Sequence, residues 1–377
     1  MEDIGILTSP DEYMNHQIVD TFTVVQESDR GWTEKVWASL ARKDGSMQVD
    51  FGLGKYINRN VLDAFAGVAR GREQWTVRGS RALDTDVERT GVGPIDYEVV
   101  KPLKSVRFKL DQNDQGIAFD LVFEGDLPPF FEKRNRVRAG FRVAMDVIRY
   151  HQGGRVSGWI EIAGERHEVG DDWYGFRDHS WGMRGDIIGA PPPDITPGLA
   201  INNRMKMFWG PWLMRRPDGS FYEIQHFLLS TDHYDYYSGF VNHADGTQEA
   251  IMSIDEDVRF DRDTRVFLGG TFTLNMANGQ KRVVEVEPLG DTAFHLRTGE
   301  YGSWKGGRHG SWRGGLHLDG EYIPDTRQAL HELGQFRDKP VIVREGDAVG
   351  YGIQESILRG DWPDYGVSPE SDFPTDI

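Results

Sequence analysis

The sequence predicts an all-β protein built from antiparallel strands. Its 377 residues include 45 Gly and 17 Pro, which are spread along the chain and favour many short strands over long helices. Apolar residues alternate in segments bounded by turn dipeptides, whereas helical periodicity is scarce. Because nearly all of these segments are joined by tight turns, the pattern predicts antiparallel barrels or sandwiches instead of a βαβ sheet.

Four hairpins are predicted from alternating segments on either side of a turn signal. Pro217-Asp218-Gly219 is a strong turn sequence, and Asn278-Gly279 predicts a type I′ turn. In chain order, the hairpins comprise residues 94–110 with 116–124, residues 153–169 with a turn at 163–165, residues 205–214 with 221–229, and residues 271–276 with 282–286.

A single helix is predicted at residues 326–336. Asp325 or Thr326 would cap its N-terminus, and its apolar face would be formed by Ala329, Leu330 and Leu333. Residues 59–70 are compatible with either a short helix or a strand.

The chain is long enough for two or three domains at roughly 150 residues each. The three consecutive prolines of residues 191–193 cannot pair in a central strand, and they stiffen a connector. We therefore expect one barrel domain at residues 1–189 and a second at residues 190–377, joined near residues 186–197.

Composition excludes several classes of function. With 43 basic and 60 acidic residues, the net charge is −17, so we expect no nucleic-acid partner. The absence of cysteine excludes disulfides, thiolate nucleophiles and Cys-ligated metals. The N-terminus lacks the basic and apolar regions of a secretory signal, and no uncharged apolar run approaches about 18 residues. We expect a cytoplasmic protein without a transmembrane segment, and the sequence assigns no oligomeric state.

Familiar cofactor and metal motifs do not occur. The sequence contains no Walker A, Gly-x-Ser-x-Gly or His-Glu-x-x-His motif, and its 11 His include no pair two or four residues apart. We therefore expect no cofactor and no metal, although a metal site assembled from distant strands stays open.

Residues 171–184 form the densest polar and aromatic segment. A His on an enclosed, aromatic-walled face is a candidate general acid or base, and a neighbouring Trp offers a π-face to a developing carbocation. The same residue types also suit a buried Arg–Asp pair that closes a barrel, with the Trp in the core. Alternation along a strand places Arg177, His179 and Trp181 on one face and Asp178, Ser180 and Gly182 on the other.

Residues 175–184, Gly-Phe-Arg-Asp-His-Ser-Trp-Gly-Met-Arg, follow the strand and Gly-Glu turn of residues 158–165. This order resembles the AttH/CrtC-like family, which includes the carotenoid 1,2-hydratases (hydroxyneurosporene synthases). Residues 301–304, 308–314 and 350–355 are similar to the C-terminal halves of bacterial members. The resemblance implies two tandem lipocalin-like (calycin) antiparallel β-barrels with few helices, in agreement with the strand pattern.

The resemblance also implies a reaction class. In the hydratases a His-x-Trp pair is associated with protonation of an alkene, and His179 and Trp181 match it. A Tyr-x-Asp element of the hydratases has no counterpart in this sequence. The implied activity is cofactor-independent lyase or isomerase chemistry on a hydrophobic, isoprenoid-like small molecule. An acid would protonate a C=C bond, water or an internal group would attack, and an aromatic cavity would shield the cation.

The predicted catalytic residues are His179 and Asp178 as an acid/base unit, with Arg177 orienting Asp178 or polarising an oxygen. The predicted substrate contacts are Tyr174, Trp181, Phe208, Trp209, Trp212, His309 and Glu355.

Some of the predicted substrate contacts have a second interpretation. The aromatic residues 208, 209 and 212 either line the cavity or pack the second barrel, and Trp209 lies on the opposite strand face from Phe208 and Trp212. Glu355 would be an acid with a raised pKa if it is buried without a cation, whereas Arg184 or Arg313 would neutralise it.

Two functions follow from these residues. The first is a hydratase, dehydratase or cyclase that uses acid/base chemistry on a hydrophobic small molecule. The alternative is a non-catalytic lipocalin-like carrier of an apolar ligand, since barrels of this kind bind such ligands without chemistry. A carrier predicts an apolar lining, whereas an enzyme predicts convergent polar groups with perturbed pKa values.

Overall fold

The computed structural model describes residues 7–14, 16, 28–86, 88–184, 204–232 and 234–368. In this part of the chain nearly every element is a strand, and helices are few and short. The predicted all-β class is therefore confirmed. None of the helices among these residues has the length and apolar character needed to cross a membrane.

Among the described residues, thirteen strands precede residue 184 and belong to one sheet. In chain order they are β1 (Trp32–Arg42), β2 (Met47–Tyr56), β3 (Val61–Arg70), β4 (Glu73–Ala82), β5 (Gly91–Val92), β6 (Ile95–Lys101), β7 (Ser105–Leu110), β8 (Ile117–Gly125), β9 (Phe130–Phe131), β10 (Asn135–Ala139), β11 (Arg142–Ile162), β12 (Glu165–Val169) and β13 (Trp173–Met183).

In the described part of the chain after residue 204 there are ten strands. They are β14 (Met205–Arg215), β15 (Phe221–Thr231), β16 (Asp235–His243), β17 (Gln248–Phe260), β18 (Phe267–Met276), β19 (Lys281–Pro288), β20 (Phe294–His295), β21 (Leu316–Ile323), β22 (Arg337–Glu345) and β23 (Ala348–Arg359). The α-helix α1 is Leu330–Leu333, and single 3₁₀ turns occur at Ser9–Glu12, Ile57–Arg59, Leu83–Thr85, Leu296–Gly299 and Pro363–Tyr365.

The first sheet forms a nearly closed barrel. Its strand order is β21-β4-β3-β2-β1-β13-β11-β8-β7-β6-β5, and the short strands β9, β10 and β12 also pair with the long β11. Strand β13 lies near the middle of this order, between β1 and β11. The interior is filled by buried apolar side chains that include Phe51, Phe108, Phe119, Phe123 and Trp173.

The second sheet closes on itself. Strands β14 to β19 pair in sequence, β23 pairs with β14 and β22, and β22 pairs back to β19, so eight strands complete a barrel. A barrel of eight strands is just wide enough for side chains to fill it. Its core includes Phe208, Trp212, Phe272 and Leu274.

The two sheets pack against each other, and the second half of the chain contributes one strand to the first sheet. An apolar layer between them joins Trp37 and Tyr174 of the first sheet to Trp209, Leu213 and Ile353 of the second. Although β21 comes from the second half of the sequence, it pairs with β4 and extends the first sheet. The predicted connector near residues 186–197 and the boundary at residue 189 lie outside the described residues.

The predicted hairpins are present, and residues 61–70 form a strand. The helix predicted at residues 326–336 is wrong in extent. α1 has only four residues and is terminated by Gly334, whose φ is 72°. The type I′ turn predicted at Asn278-Gly279 is also wrong. That turn needs positive φ at both residues, and only Gly279 has one, at 83°.

Candidate functional site

Strand β13 presents two chemically different faces, as the alternation predicted. Its register pairs His179 with Val36 of β1 and with Tyr150 of β11. Odd-numbered side chains point toward the core of the first barrel. The guanidinium of Arg177, for example, lies 5.7 Å from the Phe123 ring centroid. Even-numbered side chains such as Tyr174 join the layer between the two sheets.

On the barrel side, Arg177 forms a buried ion pair with Glu12. The guanidinium donates to Oε1 and Oε2 of Glu12 at 2.6 and 2.9 Å, and Tyr150 donates its hydroxyl to Oε1 at 2.8 Å. Burial raises the pKa of Glu12, but the charge and hydrogen bonds of Arg177 more than offset that rise, so the pKa lies below its usual value. Glu12 is therefore an ionised carboxylate inside the protein.

His179 continues this polar network. Its Nδ1 lies 3.2 Å from the Tyr150 hydroxyl, and its Nε2 lies 2.7 Å from Glu34 Oε1. His16 places Nδ1 2.6 Å from the same oxygen and stacks on Trp181, with 3.6 Å between ring centroids. Burial raises the pKa of Glu34, but hydrogen bonds from the two imidazoles lower it to about 2. His179 is fully enclosed, with no exposed surface.

On the opposite face of β13, Asp178 lies beside two arginines. Its Oδ2 is 3.5 Å from Nε of Arg149, and Arg184 donates to Ser180 Oγ at 2.7 Å. The expectation that Arg177 orients Asp178 is wrong, because consecutive side chains on a strand point to opposite faces. Burial raises the pKa of Asp178, while Arg149 opposes that rise.

A row of carboxyl groups runs from the first sheet to the second. The carboxyl of Asp338 on β22 lies within hydrogen-bonding reach of Asp50 and of Glu355, and its Oδ2 accepts the indole N–H of Trp37 at 2.9 Å. Burial and the neighbouring carboxyl raise the pKa of Glu355 well above its usual value, and burial raises that of Asp338 to about 6. Like charges this close cannot all ionise, so the row retains protons at neutral pH.

Lys35 and His309 meet at the edge of this region. His309 donates from Nε2 to the carbonyl oxygen of Gly299 at 2.8 Å, which leaves Nδ1 to accept from Lys35 Nζ at 2.7 Å. Burial, reinforced by the charge of Arg184, lowers the pKa of Lys35 to about 7. Lys35, Arg149, Asp178, Arg184, Asp338 and Glu355 are called the interbarrel cluster below.

A cavity of about 210 Å³ opens beside the interbarrel cluster. Arg149, Arg184 and Glu132 supply its charged side, and Glu132 accepts from Arg149 at 3.3 Å. The rest of the wall is mainly apolar and comes from both sheets; it includes Met145, Val147, Met205, Met207, Phe227, Leu229, Tyr236, Phe336 and Ile357.

The predicted aromatic contacts divide between two places. Phe208 and Trp212 pack in the core of the second barrel. Trp209 points the other way, meets Trp37 edge-to-face at 5.0 Å and donates to Glu132 Oε1 at 2.9 Å. Tyr174 donates its hydroxyl to the carbonyl oxygen of Gly352 at 3.0 Å. The structure thus brings Tyr174, Trp209, Asp178 and Glu355 to the layer between the sheets and leaves His179 and Trp181 on the other side of β13.

A sequence model of one family matches residues 7–368 of the chain. The protein belongs to DUF8625, a family of unknown function. No curated protein sequence matches the chain.

This DUF8625 protein is similar to solved structures of other proteins. An AttH-like protein from Nitrosomonas europaea is 12% identical, with 86% of this chain and 92% of that chain covered and a TM-score of 0.53, which shows a shared tandem-barrel fold. Kievitone hydratase from Nectria haematococca is 10% identical over 86% and 88% of the two chains, with a TM-score of 0.41. CghA with Sch210972 is 11% identical over 87% and 89%, with a TM-score of 0.47.

Several residues of the DUF8625 site were missed by the sequence analysis. Glu34 and Lys35 interrupt an otherwise apolar strand, and Asp338 and Lys339 precede a Val-Ile-Val run. Adjacent charges inside strands that are otherwise buried are a usable signal, because charged groups are rarely fully buried unless they are paired or functional. Glu12 and His16 carry no such signal, since they lie in no periodic segment.

Proposed function

We propose that this DUF8625 protein is a cofactor-independent lyase or isomerase, of the hydratase, dehydratase or cyclase type. Its substrate would be a hydrophobic, isoprenoid-like small molecule held in the cavity between the sheets. The observation that carries the proposal is the meeting of an apolar cavity with the interbarrel cluster, in which burial and the neighbouring Asp338 raise the pKa of Glu355 well above its usual value. Perturbed carboxyls beside a largely apolar cavity are typical of acid/base sites.

The proton donor in this proposal is Glu355, supported by Asp338. Glu355 keeps 8% of its surface accessible, whereas Asp338 and His179 are fully enclosed. A general acid must reach the substrate, so accessibility favours Glu355 over His179. The apposed carboxyl of Asp338 disfavours ionisation of Glu355 and keeps it in the acid form that the reaction needs.

Asp178, one half of the predicted acid/base unit, is assigned the role of the base. It is also 8% accessible; burial raises its pKa, but Arg149 and Arg184 oppose that rise, whereas the pKa of Glu355 lies well above its usual value. Two carboxyl groups whose environments push their pKa values apart suit an acid and a base. Arg149 and Arg184 line the cavity and would also hold a polar oxygen of the substrate.

The proposed hydration step transfers one proton and adds one water molecule. Glu355 donates its proton to one carbon of a C=C bond, and the resulting cation at the other carbon is flanked by Phe227, Tyr236 and Phe336. Water adds its oxygen to that carbon, Asp178 accepts the proton released, and that proton returns to Glu355. Reversal of these steps gives dehydration, and attack by an internal group gives cyclisation.

The finer resemblance to the AttH/CrtC-like family supports the same reaction class. In that family an acid protonates an alkene, and residues 175–184 match its motif. The proposal differs from the motif in one respect, since the accessible acid lies on β23 and not at His179. We propose accordingly that the motif holds β13 in place between the buried network of Glu12 and His179 on one face and the interbarrel cluster on the other.

The test compares wild type with Glu355→Gln, His179→Ala and the control Glu345→Gln. Each protein is incubated with isoprenoid and polyene compounds in heavy-oxygen water, and mass spectrometry follows label incorporation and isomerisation. Glu345 lies at the turn of the β22–β23 hairpin, where it makes a salt bridge to Arg282 of β19, and it is not part of the interbarrel cluster. We expect Glu355→Gln to lower turnover by about 10²–10⁴-fold, with ligand binding retained and the control active.

Other outcomes overturn this assignment. Loss of turnover in a folded His179→Ala, with Glu355→Gln active, would move the proton chemistry to the barrel side of β13. Tight binding without turnover by any of the four proteins would favour a carrier. The mainly apolar wall is the observation that supports this second candidate.

A further inference from the structure

A second cluster, outside the proposed acid/base site, brings three metal-binding side chains together. His16 follows the first 3₁₀ turn, Glu34 lies on β1 and His179 lies on β13. One donor atom from each lies within 4.8 Å of the others. His16 Nδ1 and His179 Nε2 are 2.6 and 2.7 Å from the same oxygen, Glu34 Oε1.

Both imidazoles are held from behind by a second partner. Tyr150 donates its hydroxyl to Glu12 and so can only accept from Nδ1–H of His179. Nε2 of His179 is therefore the nitrogen that faces Glu34, and release of the proton it shares with that carboxylate exposes a lone pair to a metal ion. His16 likewise presents Nε2 to the carboxylate of Asp11 at 3.2 Å, so its Nδ1 is the nitrogen that faces Glu34. An outer hydrogen bond that fixes the tautomer is characteristic of metal-ligating histidines.

The charge of this cluster is unbalanced when both imidazoles are neutral. Asp11, Glu12 and Glu34 contribute three carboxylates, whereas Arg177, which pairs with Glu12, and Lys55, which is attracted by Glu34, contribute two cations. The side chain of Glu34 is fully buried, and that of His16 is only 13% exposed. The remaining net negative charge in such a place is costly unless it is compensated. A metal cation at the meeting point of the three donors would compensate it.

We propose that His16, Glu34 and His179 bind one divalent transition-metal ion of the zinc class. Two imidazole nitrogens and one carboxylate oxygen are a recurrent zinc donor set, with water in the fourth position. Tetrahedral bonds of about 2.0–2.2 Å place the donors about 3.3 Å apart, so the two rings would withdraw from Glu34 by about 0.6 Å. The ion would fasten the N-terminal residues 8–14 and 16 to β1 and β13.

The test measures metal binding and does not depend on catalysis. The full chain is treated with chelator, desalted, and titrated with Zn²⁺ and with Co²⁺ against wild type, His16→Gln and the control His243→Gln. His243 also lies beside a carboxylate, with Nε2 2.5 Å from Glu249 Oε1, but on the second barrel. His16 is the least buried of the three ligands, so its replacement is the one most compatible with folding.

We expect wild type and His243→Gln to bind one Zn²⁺ per chain and His16→Gln to bind it more than about 100-fold more weakly. Co²⁺ should give wild type a visible absorption of low-coordinate nitrogen and oxygen ligation, and this readout requires no variant. Folded wild type that binds neither ion would overturn the proposal. Unchanged affinity in His16→Gln would also overturn it, because the ion would then occupy another site.

Discussion

The ion pair of Arg177 and Glu12 is fully withdrawn from water. The two side chains are 2% and 0% exposed, and the guanidinium also donates to Gln152 Oε1 at 3.0 and 2.8 Å. Burying two charges is costly, and their attraction offsets that cost only when the hydrogen bonds are complete. Here both carboxylate oxygens are bonded, so removal of one partner leaves the other charged and without compensation.

We expect Arg177→Met to lower the free energy of unfolding by about 3–5 kcal/mol. Urea denaturation followed by tryptophan fluorescence measures the change. The matched control is Arg155→Met, which removes a 59% exposed guanidinium that pairs with Glu124 and Asp126 and should cost no more than about 1 kcal/mol. A loss below about 1 kcal/mol in Arg177→Met would mean that Glu12 takes up a proton or finds another cation.

At the residue scale, sequence alternation was sufficient to separate the faces of β13. It placed Arg177, His179 and Trp181 together, and the structure confirms that arrangement. It could not identify Glu12 or His16 as their partners, because those residues approach β13 from a segment more than 160 residues away in sequence and without strand periodicity. Nor could it show that Asp338 apposes Glu355, which depends on how β22 and β23 pair.

At the element scale, β21 is the strand that the sequence analysis did not anticipate. It comes from the second half of the chain but pairs with β4 from Leu316↔Arg81 to Ile323↔Gln74. Its sequence does alternate, with Leu316, Leu318 and Tyr322 between polar residues, but none of its side chains is fully buried, and alternation does not identify a partner strand as distant as β4. Charge adds to this backbone pairing, since Arg78 of β4 donates to Asp319 at 2.7 Å and to Glu321 at 2.5 Å.

We expect Arg78→Met to release β21 while leaving the rest of the first sheet folded. Arg78 is 2% exposed and also donates to the carbonyl oxygen of Thr298 at 3.0 Å; its loss removes the guanidinium shared by Asp319 and Glu321, which lie two residues apart on β21. Hydrogen–deuterium exchange of residues 316–323 should become at least about 10-fold faster, because this edge strand then opens locally.

The control for that measurement is Arg107→Met, which removes a partly exposed pair with Asp120 between β7 and β8. Its β21 amides should exchange as in wild type. Unchanged exchange in Arg78→Met would show that backbone pairing alone holds the strand.

At the scale of the whole molecule, polar contacts cross between the two sheets. The indole of Trp37 donates to Asp338, the indole of Trp209 donates to Glu132, and the hydroxyl of Tyr174 donates to Gly352. Each contact joins a residue before position 184 to one after position 204. The layer between the sheets is therefore both the proposed reaction site and the attachment of one barrel to the other, so its protonation affects stability as well as chemistry.

Asp338 provides the test of that coupling. Burial raises the pKa of Asp338 to about 6 from its usual 3.8, so the folded protein holds a proton that the unfolded chain releases. Stability from this group is present at low pH and falls as pH rises from about 4 to about 6.

Asn at this position keeps an oxygen for the Trp37 indole but cannot ionise. We expect Asp338→Asn to gain up to about 3 kcal/mol relative to wild type between pH 4 and pH 7, measured by urea denaturation. Asp245→Asn supplies the opposite sign at lower pH, because hydrogen bonds from Thr247 lower the pKa of Asp245 below its usual 3.8, so wild type should gain on that variant as pH rises to about 4 and no further between pH 4 and pH 7. A difference between wild type and Asp338→Asn that stays constant with pH would show that Asp338 is ionised throughout, and that the row of carboxyls has its protons elsewhere.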